Sequence, residues 1–146
     1  MIVNSGLFGG PGGTPFNESS RAIAGIGRIK IHHGQFVDRL EATYALRDGE
    51  RLSRAYGGRK PPGTARSSLP MTNGLVELQF AEYVASLAFI TYRMFGLAGM
   101  RRYGPFGGPG GQNCTVLSPD IREFFGRAGS VLDAIGFRCE EPMLVC

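Results

Sequence analysis

Ile29, Ile31 and His33 alternate along the chain with Arg28, Lys30 and His32. A period of two puts one set on each face of a strand, so residues 26–33 read as a half-buried β-strand. Val76, Leu78 and Phe80 alternate with Glu77 and Gln79 in the same way and predict a strand over residues 74–80. A third extended segment covers residues 121–127. Each of the three is followed, after a short turn, by an apolar run: residues 40–46, 87–95 and 135–145. Residues 83–97 are apolar over a length that would suit a buried helix. Their place in the same order of segments assigns them to strand. No segment carries a 3.6-residue apolar stripe with caps, and the chain reads as all-β.

The order of segments is a repeat. Phe8-Gly9-Gly10-Pro11-Gly12-Gly13 recurs residue for residue as Phe106-Gly107-Gly108-Pro109-Gly110-Gly111, and Tyr56-Gly57-Gly58 lies between them. A second element keeps the same step. Gly34-Gln35-Phe36-Val37-Asp38 aligns with Ala81-Glu82-Tyr83-Val84-Ala85 and with Gly129-Ser130-Val131-Leu132-Asp133. The unit is a strand, a short G-x-x-x-D turn, a strand and a glycine-rich turn into the next strand. A lone G-x-x-x-D means nothing in a chain with 23 glycines, but two copies in phase with three glycine turns are hard to obtain by chance. Sheets that cannot cover their own apolar faces must pack around a common axis to do so. The first copy begins with a glycine turn that the last one lacks, so the two chain ends are expected to meet, with the N-terminal strand completing the last repeat.

Composition narrows the reading. At 146 residues one domain, residues 1–146, is expected. A 42% hydrophobic fraction with 10 Phe and 5 Tyr argues against disorder. The glycines follow no G-x-y period, which excludes collagen, and apolar runs are too short to span a bilayer as a helix. The net charge of +4 comes from 16 basic and 12 acidic residues, nearly all the basic ones arginine. The arginines are scattered, so they read as a basic surface with no nucleic-acid groove. Cys114, Cys139 and Cys146 fit neither zinc nor C-x-x-C spacing, and their odd number leaves one thiol over. Cys146, near the end of the sequence, is the candidate for an interchain bridge. Residues 1–6 lack the basic start and apolar stretch of a signal peptide. That leaves a cytosolic protein or one whose leader has been removed. The sequons at Asn17 and Asn113 hint at secretion, which is the expectation.

The glycine loop at 8–13, Ile26-Gly27-Arg28-Ile29-Lys30-Ile31 before Gly34, Tyr103-Gly104-Pro105-Phe106-Gly107, and the run from Phe125 to Gly136 resemble the jacalin-related lectins. The similarity spans nearly the whole chain, strongest over 103–136 and weakest over 59–72 and 90–100. It implies a β-prism I fold: three four-stranded antiparallel Greek-key sheets with pseudo-threefold symmetry. It also implies metal-independent binding of neutral hexoses such as mannose or glucose units of glycans at one end of the prism. By this resemblance the primary site is Ser130, Val131 and Asp133 facing Gly13, and a second site is Gln35, Phe36 and Asp38 facing Gly58. At the second site Arg59-Lys60-Pro61-Pro62 stands where the family has glycines, giving a stiffer, more charged loop. The third copy has Ala81 and Ala85 in place of glycine and aspartate, and no binding is expected there.

The residue types suit a polyol. A carboxylate accepts protons from two hydroxyls at once, while N–H groups of a glycine loop donate to the hydroxyl oxygens without a side chain in the way. The competing structural reading is that Asp133 only caps a tight turn. Catalysis is not indicated. Asp38 and Asp133 lie in different repeats and form no evident acid/base pair, no nucleophile–base constellation occurs, and His32 and His33 point to opposite faces of one strand. The glycine loop lacks the Lys-Ser and helix of a phosphate cradle. No cofactor or metal is implied. The partners expected are glycans or glycoproteins, with no nucleic acid and no membrane insertion. Avidity from weak sites predicts a homodimer, disulfide-linked through Cys146 in an oxidising compartment. The alternative on the same fold is an arginine-mediated binder of sulfated or acidic glycans, or a matrix scaffold.

Overall fold

The computed structural model describes residues 2–18, 22–58, 65–70, 74–91 and 101–146, with 65–70 and Gly74 described in backbone only. The described residues form thirteen strands and no helix. In chain order these are β1 (Ile2–Gly9), β2 (Thr14–Phe16), β3 (Ile23–His33), β4 (Val37–Leu46), β5 (Arg51–Gly57), β6 (Ala65–Pro70) and β7 (Gly74–Phe80). They continue as β8 (Val84–Thr91), β9 (Arg101–Gly107), β10 (Gln112–Ser118), β11 (Asp120–Ala128), β12 (Leu132–Glu140) and β13 (Met143–Val145).

Three antiparallel sheets result, ordered β5-β4-β3-β6, β13-β10-β7-β8-β9 and β1-β12-β11-β2. The outer pair of the last sheet, β1 and β2, comes from the start of the chain and flanks β11 and β12 from its end. The two ends therefore close the molecule as the repeat requires, with Phe8 opposite Ile135 and Pro15 opposite Arg127. The alternation read from the sequence sets the faces. Ile29, Ile31, Leu40, Tyr44, Val76, Leu87, Phe89, Phe124 and Phe137 are fully buried around the common axis. Burying each large apolar side chain is worth about 1.5–3 kcal/mol.

Polar contacts add to the packing at a bulge and at the axis. The register of β1 against β12 shifts between Asn4 and Leu7. At this bulge the Phe137 N–H donates to Ser5 Oγ at 3.0 Å instead of to a backbone carbonyl. At the axis, the Phe124 N–H donates to Tyr44 Oη at 3.3 Å, and the Tyr44 and Tyr56 hydroxyls bond at 3.0 Å. Tyr56 Oη donates to Glu18 Oε1 at 3.3 Å, which carries the chain of contacts out to the surface. Burial pushes both phenol pKa values well above the ordinary range, so the two hydroxyls keep their protons.

Three expectations need correction. The run 135–145 is two strands, because Glu141 takes a positive φ of 43° and Pro142 follows it. The second piece, β13, adds a fifth strand to a sheet expected to have four. It is fixed there by a disulfide between Cys114 and Cys146. Cys146 is thus bonded within its own chain, which replaces the expected interchain bridge. Cys139 is the unpaired thiol; it is buried, and burial raises its pKa, so it is a poor nucleophile.

Candidate functional site

The three turns and three glycine loops gather at one end of the prism. Each turn is closed by the same backbone hydrogen bond: Gly34 N–H to Phe36 O at 3.1 Å, Ala81 N–H to Tyr83 O at 3.0 Å, and Gly129 N–H to Val131 O at 3.0 Å. Each loop is tied to the turn of its own repeat in the same way. The N–H of Gly10 donates to Asp133 O at 3.0 Å, that of Gly58 to Asp38 O at 3.0 Å, and that of Gly108 to Ala85 O at 3.2 Å while also reaching Gln35 O at 2.8 Å. The alignment of 38, 85 and 133 with 10, 58 and 108 is therefore a structural equivalence. The turns are shorter than the sequence suggested, and Asp38 and Asp133 are the second residues of β4 and β12.

Glycine is required for the close approach. A Cβ on Gly9, Gly57 or Gly107 would strike the carbonyl of Asp133, Asp38 or Ala85, and all three residues have φ above +100°. The loops also brace one another around the axis. Gly10 packs on the carbonyl of Glu82, Gly58 on that of Ser130, and Gly108 on that of Gln35. Each loop thus rests on the turn of a neighbouring repeat, and the copy without a carboxylate still supports the one that holds Asp133.

Asp133 is only 8% exposed. Gly12 and Gly13 fold over its carboxylate so closely that a Cβ on Gly12 would lie 2.8 Å from Oδ1, and one on Gly13 2.5 Å from Oδ2. Oδ2 is buried and makes no hydrogen bond among the described residues. A buried carboxylate oxygen without a donor is costly unless something else supplies one. Ser130 and Gly129 are exposed and Val131 half-buried beside it. Gly13, Ser130, Val131 and Asp133 are thus brought together as expected.

The second group is assembled only in part. Asp38 is half-buried, and Gln35 and Phe36 are exposed on the turn before it. Gly58 is tied to Asp38 and its carbonyl accepts from Arg39 Nη1 at 3.0 Å, while Arg59 to Pro62 lie outside the described residues. Burial raises the pKa of Asp38, against the opposing effect of His33 and His32. His33 is shifted down, chiefly by burial, and its Nδ1 accepts the Gly107 N–H at 3.2 Å. Phe36, 39% exposed, meets Tyr83, 40% exposed, edge to face with centroids 5.4 Å apart. At the third copy Ala85 is buried, and the Gly110 position faces its methyl group at 3.7 Å where the Gly12 position faces the Asp133 carboxylate.

One side chain escaped the sequence reading. Arg127, two residues before the primary turn, donates from Nε to Gly12 O at 3.0 Å and from Nη2 to Gly13 O at 2.9 Å. Aligning residues 32, 79 and 127, each two positions before its turn, would have drawn attention to it.

A three-sheet prism whose turns and facing glycine loops meet at one end has the architecture of a carbohydrate-binding lectin. The chain belongs to the jacalin-like lectin domain family, whose model matches residues 5–138. It is 30% identical over 144 residues to a mannose/glucose-specific lectin of Parkia pendula. That match takes in 92% of this chain but 31% of the relative, so the chain spans about a third of that protein's length. It is 27% identical over 134 residues to griffithsin of Griffithsia, covering 92% of this chain and 94% of griffithsin. Among solved structures it is similar to Malaysian banana lectin, with a TM-score of 0.78, 27% identity, and 96% and 99% of the two chains covered.

Proposed function

We propose that this lectin binds neutral hexoses of the mannose and glucose type, with Asp133 as the principal acceptor. The observation that carries the reading is the buried Asp133 carboxylate under Gly12 and Gly13, with Oδ2 lacking any donor among the described residues. One sugar hydroxyl would donate to Oδ1 and a vicinal one to Oδ2 once a small shift of Gly12 and Gly13 admits it, and the backbone N–H groups of Gly13, Ser130 and Val131 would answer the hydroxyl oxygens. The specificity printed for the Parkia pendula relative, mannose and glucose, supports that choice of sugar. Asp38 with Gln35, Phe36 and Gly58 forms a second, weaker site, and the copy at Ala81 and Ala85 binds nothing.

We further infer that the protein acts outside the cell as a non-covalent homodimer. The Cys114–Cys146 bond favours an oxidising compartment, and shallow sugar sites need multivalency for useful avidity. The polyanion reading is less favoured, because Arg39, Arg54, Arg102, Arg122 and Arg138 are each engaged by a carboxylate. A glycan array at low and high salt tests the choice. Neutral mannose-bearing glycans should bind equally at both; binding confined to sulfated glycans and lost at high salt would overturn the proposal.

A further inference from the structure

Two loops of identical sequence, Phe8 to Gly13 and Phe106 to Gly111, are held differently. In the first, the Arg127 guanidinium grips two carbonyls, Gly12 O at 3.0 Å and Gly13 O at 2.9 Å. Gln79 occupies the equivalent position of the third copy, since Arg127 pairs with Pro15 on β2 as Gln79 pairs with Asn113 on β10. Its Oε1 accepts the N–H of Gly110 at 2.8 Å. The hold therefore has opposite polarity and falls one peptide earlier.

The difference matters for the N–H that faces a ligand. In a trans peptide the C=O of one residue and the N–H of the next point in opposite directions. With Gly12 O drawn to Arg127, the Gly13 N–H is turned away from Arg127 and kept free of that side chain. Gly13 has a φ of +71°, a conformation glycine leaves as readily as it enters, so an outside hold on its flanking peptides has something to fix. The guanidinium fork is suited to this because one rigid group bonds two carbonyls at once. Gln79 fixes the 109–110 peptide and leaves the 110–111 peptide, the counterpart of 12–13, without an equivalent hold.

We propose that Arg127 is a positioning residue for the primary sugar site, acting through the Gly12–Gly13 peptide. We propose equally that Gln79 is a third determinant of the silence of the Ala81/Ala85 copy, beside the missing glycine and carboxylate. This rests on the reading of Asp133 as the sugar acceptor. It makes a specific demand: restoring glycine and aspartate alone does not create a site.

The test titrates methyl α-mannoside into variants made in an Asp38→Ala background, so that the primary site is read alone. Arg127→Gln should weaken binding about tenfold and Arg127→Lys, which keeps the charge but not the fork, by less. In both, the sugar-induced NMR shift of the Gly13 amide should shrink with the affinity while the melting temperature changes little; a merely structural role would lower the melting temperature and leave the Gly13 response of the folded fraction intact. The gain-of-function arm uses an Asp38→Ala, Asp133→Ala background. Ala81→Gly with Ala85→Asp should stay silent, and adding Gln79→Arg should bring binding. Native affinity in Arg127→Gln, or equal binding with and without Gln79→Arg, would overturn the inference. Full affinity in Asp133→Ala would instead overturn the site reading itself, so the two failures are told apart.

Discussion

Asp133 and Asp38 occupy the same place in their repeats but not the same environment. Asp133 is buried beneath two glycines, and its backbone carbonyl, not its side chain, ties down Gly10. Asp133→Asn should therefore leave the loop anchored and change stability by no more than about 1 kcal/mol. It replaces one of the two acceptor oxygens by a donor and should cut mannoside affinity by roughly 100-fold, about 3 kcal/mol. Calorimetry beside thermal melting checks both; unaltered affinity would remove Asp133 from the site. Asp38 makes a pH prediction. Burial raises its pKa, so on acidification it takes up a proton above the ordinary carboxylate range and stops accepting from two hydroxyls. The sign for stability is opposite. A carboxyl whose pKa is higher in the folded chain than in the unfolded one favours the native state as pH falls through that window. The second binding event should thus disappear on mild acidification with no loss of melting temperature from this group, and Asp38→Asn should remove the event at every pH. A second event that persists unchanged to pH 4 would contradict the assignment.

At the scale of elements, the alternating segments were legible because each sheet has one face toward the axis and one toward water. Ile29 and Ile31 against Arg28 and Lys30 is that division written in residues. The three-copy register was legible too, since the closing hydrogen bonds fall on the aligned positions. Three things were hidden. The end of β12 depends on the positive φ of Glu141, and only Pro142 hinted at it. The pairing of Cys114 with Cys146 depends on β13 returning beside β10, which cysteine spacing does not encode. The burial of Asp133 depends on Gly12 and Gly13 folding over it, a matter of loop conformation with no periodicity to betray it. The disulfide gives the prediction at this scale. Cys146→Ser frees β13 from β10 and should lower stability by roughly 2–4 kcal/mol in denaturant melts. The sedimentation coefficient should not change, and the parent should run as a single chain on a non-reducing gel. A covalent dimer on that gel would contradict the intrachain bond.

For the whole molecule, the repeat both builds the fold and limits what function costs. Each glycine loop leans on a neighbouring turn, Gly10 on Glu82, Gly58 on Ser130 and Gly108 on Gln35. The ring is closed only if all three copies keep their backbone. Side chains at 38, 85 and 133 are free to differ within it, so a copy can lose its carboxylate and remain as a brace. On this account the carboxylate supplies recognition and the repeat supplies geometry. The most direct measurement is a crystal structure of the protein with methyl α-mannoside. It should place two vicinal hydroxyls at about 2.6–3.2 Å from the two Asp133 carboxylate oxygens, with the Gly13 N–H directed at the sugar and no sugar at Ala85. Mannoside bound elsewhere, with Asp133 Oδ2 still without a donor, would contradict it.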